Sequence, residues 1–185
     1  MIERTTVLRR PQRADARRNY DALLNAAREV FAERGAEASL EEIARRAGVG
    51  IGTLYRNFPT RQDLFDSVYV GEIERLCDAA DEVAGLPPGE ALDTWLRRFV
   101  EYAATKRAIK DALNSESAMF LGCRQDMYAA GQPLFDRART AGAVRGDVNF
   151  DDVLRMISGI TAGGYVDDAQ RERVLMMALD GIKKH

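Results

Sequence analysis

The sequence predicts an all-α protein, and three observations predict it. Apolar residues recur at three- and four-residue spacing through most of the chain, and no segment reads as a strand. Serine, aspartate and glycine stand where helix caps and stops belong. Two apolar-faced segments are separated only by a tight glycine turn, giving a helix, turn, helix arrangement near residue 48.

The elements follow in order. "ERTTVLRRPQR" is a basic arm kept extended by Pro11. From Asp15, a stripe of Tyr20, Leu23, Leu24, Ala27, Val30 and Phe31 predicts a first helix that Gly35 ends. Ser39 followed by Glu42 is a capping box, so a second helix starts at Leu40; its apolar positions are 40, 43, 44 and 47, and Gly48 stops it. A short third helix carries Leu54 and Phe58 four apart before Pro59 forbids continuation. The fourth runs from Arg61 to Ala84 with Leu64, Phe65, Val68, Tyr69, Ile73, Leu76, Cys77 and Ala80 on one side. At about 1.5 Å per residue it is long enough to pass from a first domain into a second.

"GLPPGE" (85–90) is a loop by its proline and glycine content. From Glu90 the wide apolar face of Ala91, Leu92, Trp95, Leu96, Phe99, Val100, Tyr102 and Ala103 predicts a largely buried helix. Residues 111–141 read as one or two helices with a kink or break near Gly131–Pro133. "AGAVRGDVNF" is a turn region, and "DDVLRMISGITAGG" and "QRERVLMMALDGIKK" form two closing helices. There is no tandem repeat and no low-complexity segment.

Composition narrows the function classes. A chain of 185 residues buries one moderate core or two small ones. Residues 1–61 hold twelve Arg against eight Asp/Glu, a net of +4, while residues 62–185 carry −6. A total near neutrality therefore hides a basic amino-terminal module suited to a polyanion. No stretch resembles a signal peptide or a membrane span, so the expected compartment is the cytoplasm. Cys77 and Cys123 are too few for a disulfide framework; each sits on an apolar helical face, open to core packing or to thiol sensing.

The one histidine is terminal His185, so Ser-His-Asp and Cys-His catalysis lack their internal imidazole. Asp151/Asp152 and Asp167/Asp168 each precede an apolar helical run, where carboxylates cap and complement the helix dipole; a paired-carboxylate hydrolase has no other constellation to support it. Gly48, Gly50 and Gly52 follow a helical pattern, not a strand, which argues against a phosphate-cradling loop. A helix–turn–helix can instead offer its second helix to the DNA major groove.

"GVGIGTLYRNFPTRQDLF" carries Val49, Gly50, Gly52, Thr53, Leu54, Tyr55, Asn57, Phe58, Arg61, Asp63, Leu64 and Phe65, and in these residues it resembles the recognition-helix signature of the TetR family of transcriptional regulators. "LLNAAREVFAERGAEASLEEIARRAGV" is similar to that family's first two helices, so the resemblance is dense over residues 14–70. It implies a helix-turn-helix DNA-binding domain over 1–60, with the basic arm at 1–13, and a helical ligand-binding and dimerisation domain over 61–185. It also implies a non-enzymatic homodimer without cofactor or metal. Such a dimer binds a palindromic double-stranded operator as a repressor and is released by a small-molecule effector, with the fourth helix carrying movement between the domains.

The resemblance assigns roles residue by residue. Ile51, Gly52 and Thr53 face the groove, with Ile51 or Thr53 able to pack on thymine methyls. Tyr55, Asn57 and Arg61 match phosphate-contact positions, and Ser39 and Arg56 join the DNA-facing set. Glu41 departs from the pattern: it either accepts from a cytosine amine or repels phosphate. Arg13, Arg17 and Arg18 either reach the backbone or minor groove or are solvated on the helix surface.

Trp95, Phe99, Tyr102, Met119, Phe120, Cys123, Met127 and Tyr128 fall in the effector region, as pocket or as core. With Arg98 or Arg124 as its few charges, and Tyr102 or Asn114 as polar handles, that region implies a mostly apolar effector. The last two helices imply a dimer interface of Val153, Leu154, Met156, Ile157, Ile160, Val174, Leu175, Met176, Ala178, Leu179 and Ile182, with Gly159 permitting close approach; an internal core is the alternative.

Overall fold

The first helix of the computed structural model, α1, forms over Ala14–Arg34, one residue from the predicted start; of its predicted stripe, Tyr20, Leu23, Ala27, Val30 and Phe31 are buried and Leu24 is half-buried. The structure describes residues 10–114 and 116–184; most of the basic arm and His185 lie outside the described residues. Among the described residues the other α-helices are α2 Leu40–Arg46, α3 Ile51–Asn57, α4 Arg61–Glu82, α5 Pro88–Ile109, α6 Ala118–Thr140, α7 Phe150–Ala162 and α8 Asp168–Gly181. The one pairing of extended type among them is an isolated bridge, Val144 with Lys183.

Two expectations shift. Helix α5 starts at Pro88 rather than Glu90, because proline at a first helical position lacks only an N–H that would have had no partner. No break occurs near Gly131–Pro133: α6 is one helix with Pro133 inside it.

The chain divides into two compact units. One comprises the chain to Glu72 together with Ala108–Cys123; the other holds Ile73–Arg107 and everything from Arg124 onward. The boundary read at residue 60/61 marks the loop before α4, whereas the first half of α4 buries Leu64, Phe65, Val68 and Tyr69 within the first unit.

In the first unit the turns after α1 and α2 are made by Gly35 and Gly48, both at φ 69°, a conformation only glycine adopts without strain. Ring contacts tie the elements together: Tyr20 to Phe58 at 5.1 Å, Phe31 to Phe65 at 4.7 Å, and Tyr69 stacked on Phe120 at 4.8 Å. The capping box at α2 is half formed. Ser39 Oγ accepts from the Glu42 N–H at 3.3 Å, but the Glu42 carboxylate turns to Arg34 at 2.7 Å and Arg46 at 3.0 Å. Arg46 also forks onto Glu33 at 2.6 and 2.7 Å, so the same carboxylate that would have capped α2 joins it to α1.

The second unit is built on Trp95, which is fully buried and donates its indole N–H to the Leu76 carbonyl at 3.0 Å. Its ring lies 6.0 Å from Phe99 and 5.8 Å from Phe150, which in turn meets Phe135 at 5.6 Å and Tyr128 edge-on at 5.7 Å. The aspartates before the last helices act as caps. Asn149 and Asp152 form a reciprocal capping box at 2.9 Å in each direction, and Asp167 accepts from the Gln170 N–H at 2.7 Å. Within the predicted turn region, backbone bonds from Arg145 N to Ile182 O (3.0 Å) and from Lys184 N to Ala143 O (3.2 Å) clip the carboxyl-terminal tail in place.

Of the expected dimer residues, Val153, Leu154, Ile157, Leu175, Leu179 and Ile182 are buried inside the single chain and hold α7 and α8 in its core, whereas Met156, Ile160, Val174, Met176 and Ala178 are half-buried. Met177, which the apolar spacing leaves out of that set, is 65% exposed.

A Cβ at Gly131 would lie 2.4 Å from Trp95 Cη2 and 2.5 Å from Phe150 Cζ, whereas a Cβ at Gly159 meets nothing within 4 Å. Gly131→Ala therefore destabilises the protein by about 1–3 kcal/mol through overpacking. Gly159→Ala is neutral or stabilising by up to about 1 kcal/mol through helix propensity. Urea denaturation of the two variants checks this; equal midpoints would contradict the packing described.

Candidate nucleic-acid interface and effector region

Helix α3 is anchored on one side and open on the other. Leu54 is fully buried, as is Phe58 just beyond the helix end, while Ile51 (38% exposed), Gly52, Tyr55 (47% exposed) and Arg56 face outward and Thr53 is half-buried. The side that carries no core residue thus holds the predicted groove-facing set. Gly50 caps the helix in extended conformation, and no atom lies within 4 Å of a Cβ built at Gly50 or Gly52, so the bareness of this helix start is not required by packing within the chain.

The polar residues around α3 are oriented by local bonds. Arg56 donates from Nε to the Gly52 carbonyl at 3.1 Å and from a terminal nitrogen to Thr53 Oγ1 at 3.4 Å. The Asn57 amide donates to the Thr53 carbonyl at 2.8 Å, closing the last turn. Ser39 Oγ donates to Glu41 at 2.7 Å, and this bond, aided more weakly by Arg61, holds the Glu41 carboxyl below the usual carboxylate range. Glu41 is exposed and ionised at neutral pH.

Arg61, a predicted phosphate contact, is also bonded within its own unit. One of its terminal nitrogens donates to the carbonyls of both Ala36 and Ala38, and its guanidinium lies 5.4 Å over the Phe65 ring. It ties the start of α4 to the connection between α1 and α2. The amino acid type is what the DNA-binding pattern asks for; the carbonyl partners come from a segment 23 to 25 residues away, which spacing alone does not reveal.

The predicted effector set does not gather in one unit. Met119, Phe120 and Cys123 belong to the first, with Cys123 Sγ 3.9 Å from Met119 Sδ. Trp95, Phe99, Tyr102 and Met127 belong to the second, where all four are buried. Trp95, pressed against Gly131, is core rather than pocket wall. An open cleft of about 410 Å³ lies elsewhere in the second unit, lined by Leu92, Leu96, Val144, Leu179, Ile182 and Lys184 among others, and none of the predicted residues lines it. A residue missed by the sequence reading is Lys106, half-buried and set over the Tyr102 ring one helical turn away.

Comparison with known proteins finds two family models along the chain. Residues 23–68 match the family model "Bacterial regulatory proteins, tetR family", and residues 87–184 match "Transcriptional regulator SbtR-like, C-terminal domain". A TetR transcriptional regulator of Streptomyces coelicolor is 44% identical, with 89% of this chain and 98% of that one covered and a TM-score of 0.76. A TetR regulatory protein of Mycobacterium vanbaalenii is 36% identical over 94% of this chain and 99% of its own, with a TM-score of 0.71. An HTH-type transcriptional regulator of Staphylococcus aureus is 42% identical over 53 residues, 28% of this chain; the chain spans only 29% of the length of that curated relative.

Arg61→Ala removes the donor to two carbonyls and lowers stability by about 1–3 kcal/mol. In the folded fraction the slope of log affinity for DNA against log salt stays unchanged. Arg56→Ala leaves stability within about 0.5 kcal/mol and reduces that slope by about one. Thermal melts and retardation at several salt concentrations distinguish the two; a smaller slope for Arg61→Ala would return it to phosphate contact.

Proposed function

This chain belongs to the TetR family of DNA-binding transcriptional regulators, which are not enzymes, and from that premise we propose that it is a repressor that binds a palindromic operator as a homodimer and leaves it when a small organic effector binds the second unit. The observation that carries the DNA half of this reading is the outward face of α3, where Ile51, Gly52, Tyr55 and Arg56 are exposed around the buried Leu54. A two-fold dimer presents two such helices to successive faces of the major groove, which makes the operator a near-palindrome.

For assembly, the reading uses the outward face of α7 and α8: half-buried Ile160, exposed Gly159, and Met177 at 65% exposure, with Val166 at 89% in the connection between them. For regulation, an effector releases DNA only if it binds the non-DNA-binding conformation better, and a coupling of about 1–3 kcal/mol lowers operator affinity about 5–150-fold. No described helix is long and apolar enough to cross a membrane.

Fragments of genomic DNA selected by the pure protein and sequenced should converge on an inverted repeat, retarded with an affinity that falls linearly on a log–log salt plot. Thr53→Ala or Ile51→Ala should chiefly alter which repeat is selected, and Tyr55→Phe should weaken all fragments together. Failure to retard any selected fragment at low salt would overturn the reading. Met177→Asp places a charge on the proposed interface and should convert a dimeric mass in light scattering to a monomeric one at micromolar concentration, with the melting temperature of the single chain retained. A wild-type mass of one chain would remove the dimer.

A further inference from the structure

Arg56 is the one cation on α3, and its side chain is laid back along the helix instead of trailing into solvent. Nε donates to the Gly52 carbonyl at 3.1 Å and Nη2 donates to Thr53 Oγ1 at 3.4 Å. Both partners lie one turn nearer the helix start, the direction in which helical side chains lean. The two bonds use the same edge of the planar guanidinium, the one formed by Nε and Nη2. The other edge, Nη1 with the second N–H of Nη2, is left as a fork of donors turned away from the helix backbone.

This fork has no partner within the chain. Helix α3 contains no acidic residue, and Arg56 makes no ion pair among the described residues. It is exposed on the same side as Ile51, Gly52 and Tyr55, where nothing lies within 4 Å of a Cβ built at Gly52. A braced pair of donors on an open face matches two acceptors at a fixed separation. In the major groove guanine presents such a pair, O6 and N7, whereas adenine sets one acceptor beside a donor and each pyrimidine offers a single polar group. A phosphate asks only for a charge within reach. Bracing a guanidinium at two points adds selectivity where base edges are met.

We propose that Arg56 determines sequence specificity, donating from this fork to O6 and N7 of a guanine at one fixed position in each half of the operator, an inference that rests on α3 being the DNA-contacting helix. Thr53 is a positioning residue for it, because its hydroxyl oxygen fixes the plane of the guanidinium. The charge of Arg56 and its reading of guanine are separable, since a lysine keeps the charge and lacks the planar fork.

The test begins with random double-stranded DNA selected by the full chain and sequenced. Wild type should select a guanine at one position of each half-site, and Arg56→Ala should accept any base there while keeping the preferences at the other positions. In retardation of the selected fragment, changing that guanine to adenine should weaken wild-type binding about 5–150-fold. Replacing it by 7-deazaguanine, which lacks only the N7 acceptor, should weaken binding about five-fold. Arg56→Ala should bind all three fragments equally. Arg56→Lys should keep the wild-type salt slope and lose most of the discrimination, and it serves alone if Arg56→Ala fails to melt cooperatively. Thr53→Val should lower the discrimination and Thr53→Ser should retain it. No guanine among the wild-type preferences, 7-deazaguanine bound as well as guanine, or discrimination undiminished in Arg56→Ala or in Thr53→Val would each overturn the proposal. So would an Arg56→Ala variant weakened by the same factor on every sequence, which would assign Arg56 to a phosphate. All of these results leave α3 on the DNA; failure of the wild-type chain to retard any fragment is the separate result that removes the DNA-binding reading and this proposal together.

Discussion

A seven-residue helix is far below the length that holds together in water by itself, so α3 exists because one of its side chains is taken up by the rest of the first unit. That side chain is Leu54, fully buried, followed by Phe58 against the Tyr20 ring of α1. Everything the unit offers to a partner depends on this anchor. Because Leu54 uses up the inward face, Ile51, Tyr55 and Arg56 are left outward at fixed angles, and a change at the anchor would disturb every one of them at once. The ionic links between α1 and α2 serve the same end. Glu42, with most of its side chain shielded, is held by Arg34 and Arg46, and pairing of this kind is sensitive to loss of one partner, since a shielded carboxylate would then stand alone.

The second unit meets a different constraint, the close packing of large rings. Trp95 fits because residue 131 has no side chain, and its indole N–H is satisfied by a backbone carbonyl of α4. A cluster packed this tightly has no room for a ligand among its own rings. The polar ends of its members point to the margins: the Tyr128 hydroxyl to Asp151, and the ring faces of Tyr102 and Tyr128 to cations. The chemistry of the unit is therefore concentrated at the edge of the aromatic core.

Helix positions were legible in the sequence because caps and apolar spacing are local properties. Gly35, Gly48, Ser39 and the Asn149–Asp152 region act where local rules place them, within one or two residues. What periodicity does not reveal is which surface covers an apolar face. Val153, Ile157, Leu175 and Leu179 have the spacing of an interface and of a core alike, and in this chain their own protomer covers them. Arg61 and Glu42 carry the same lesson for polar groups. Their residue types suit a phosphate and a cap, but long side chains reach several partners, and here carbonyls and arginines far away in sequence take them. A lysine late in a helix reads as a solvated helix end, and only the ring beneath Lys106 and its partial burial mark it out.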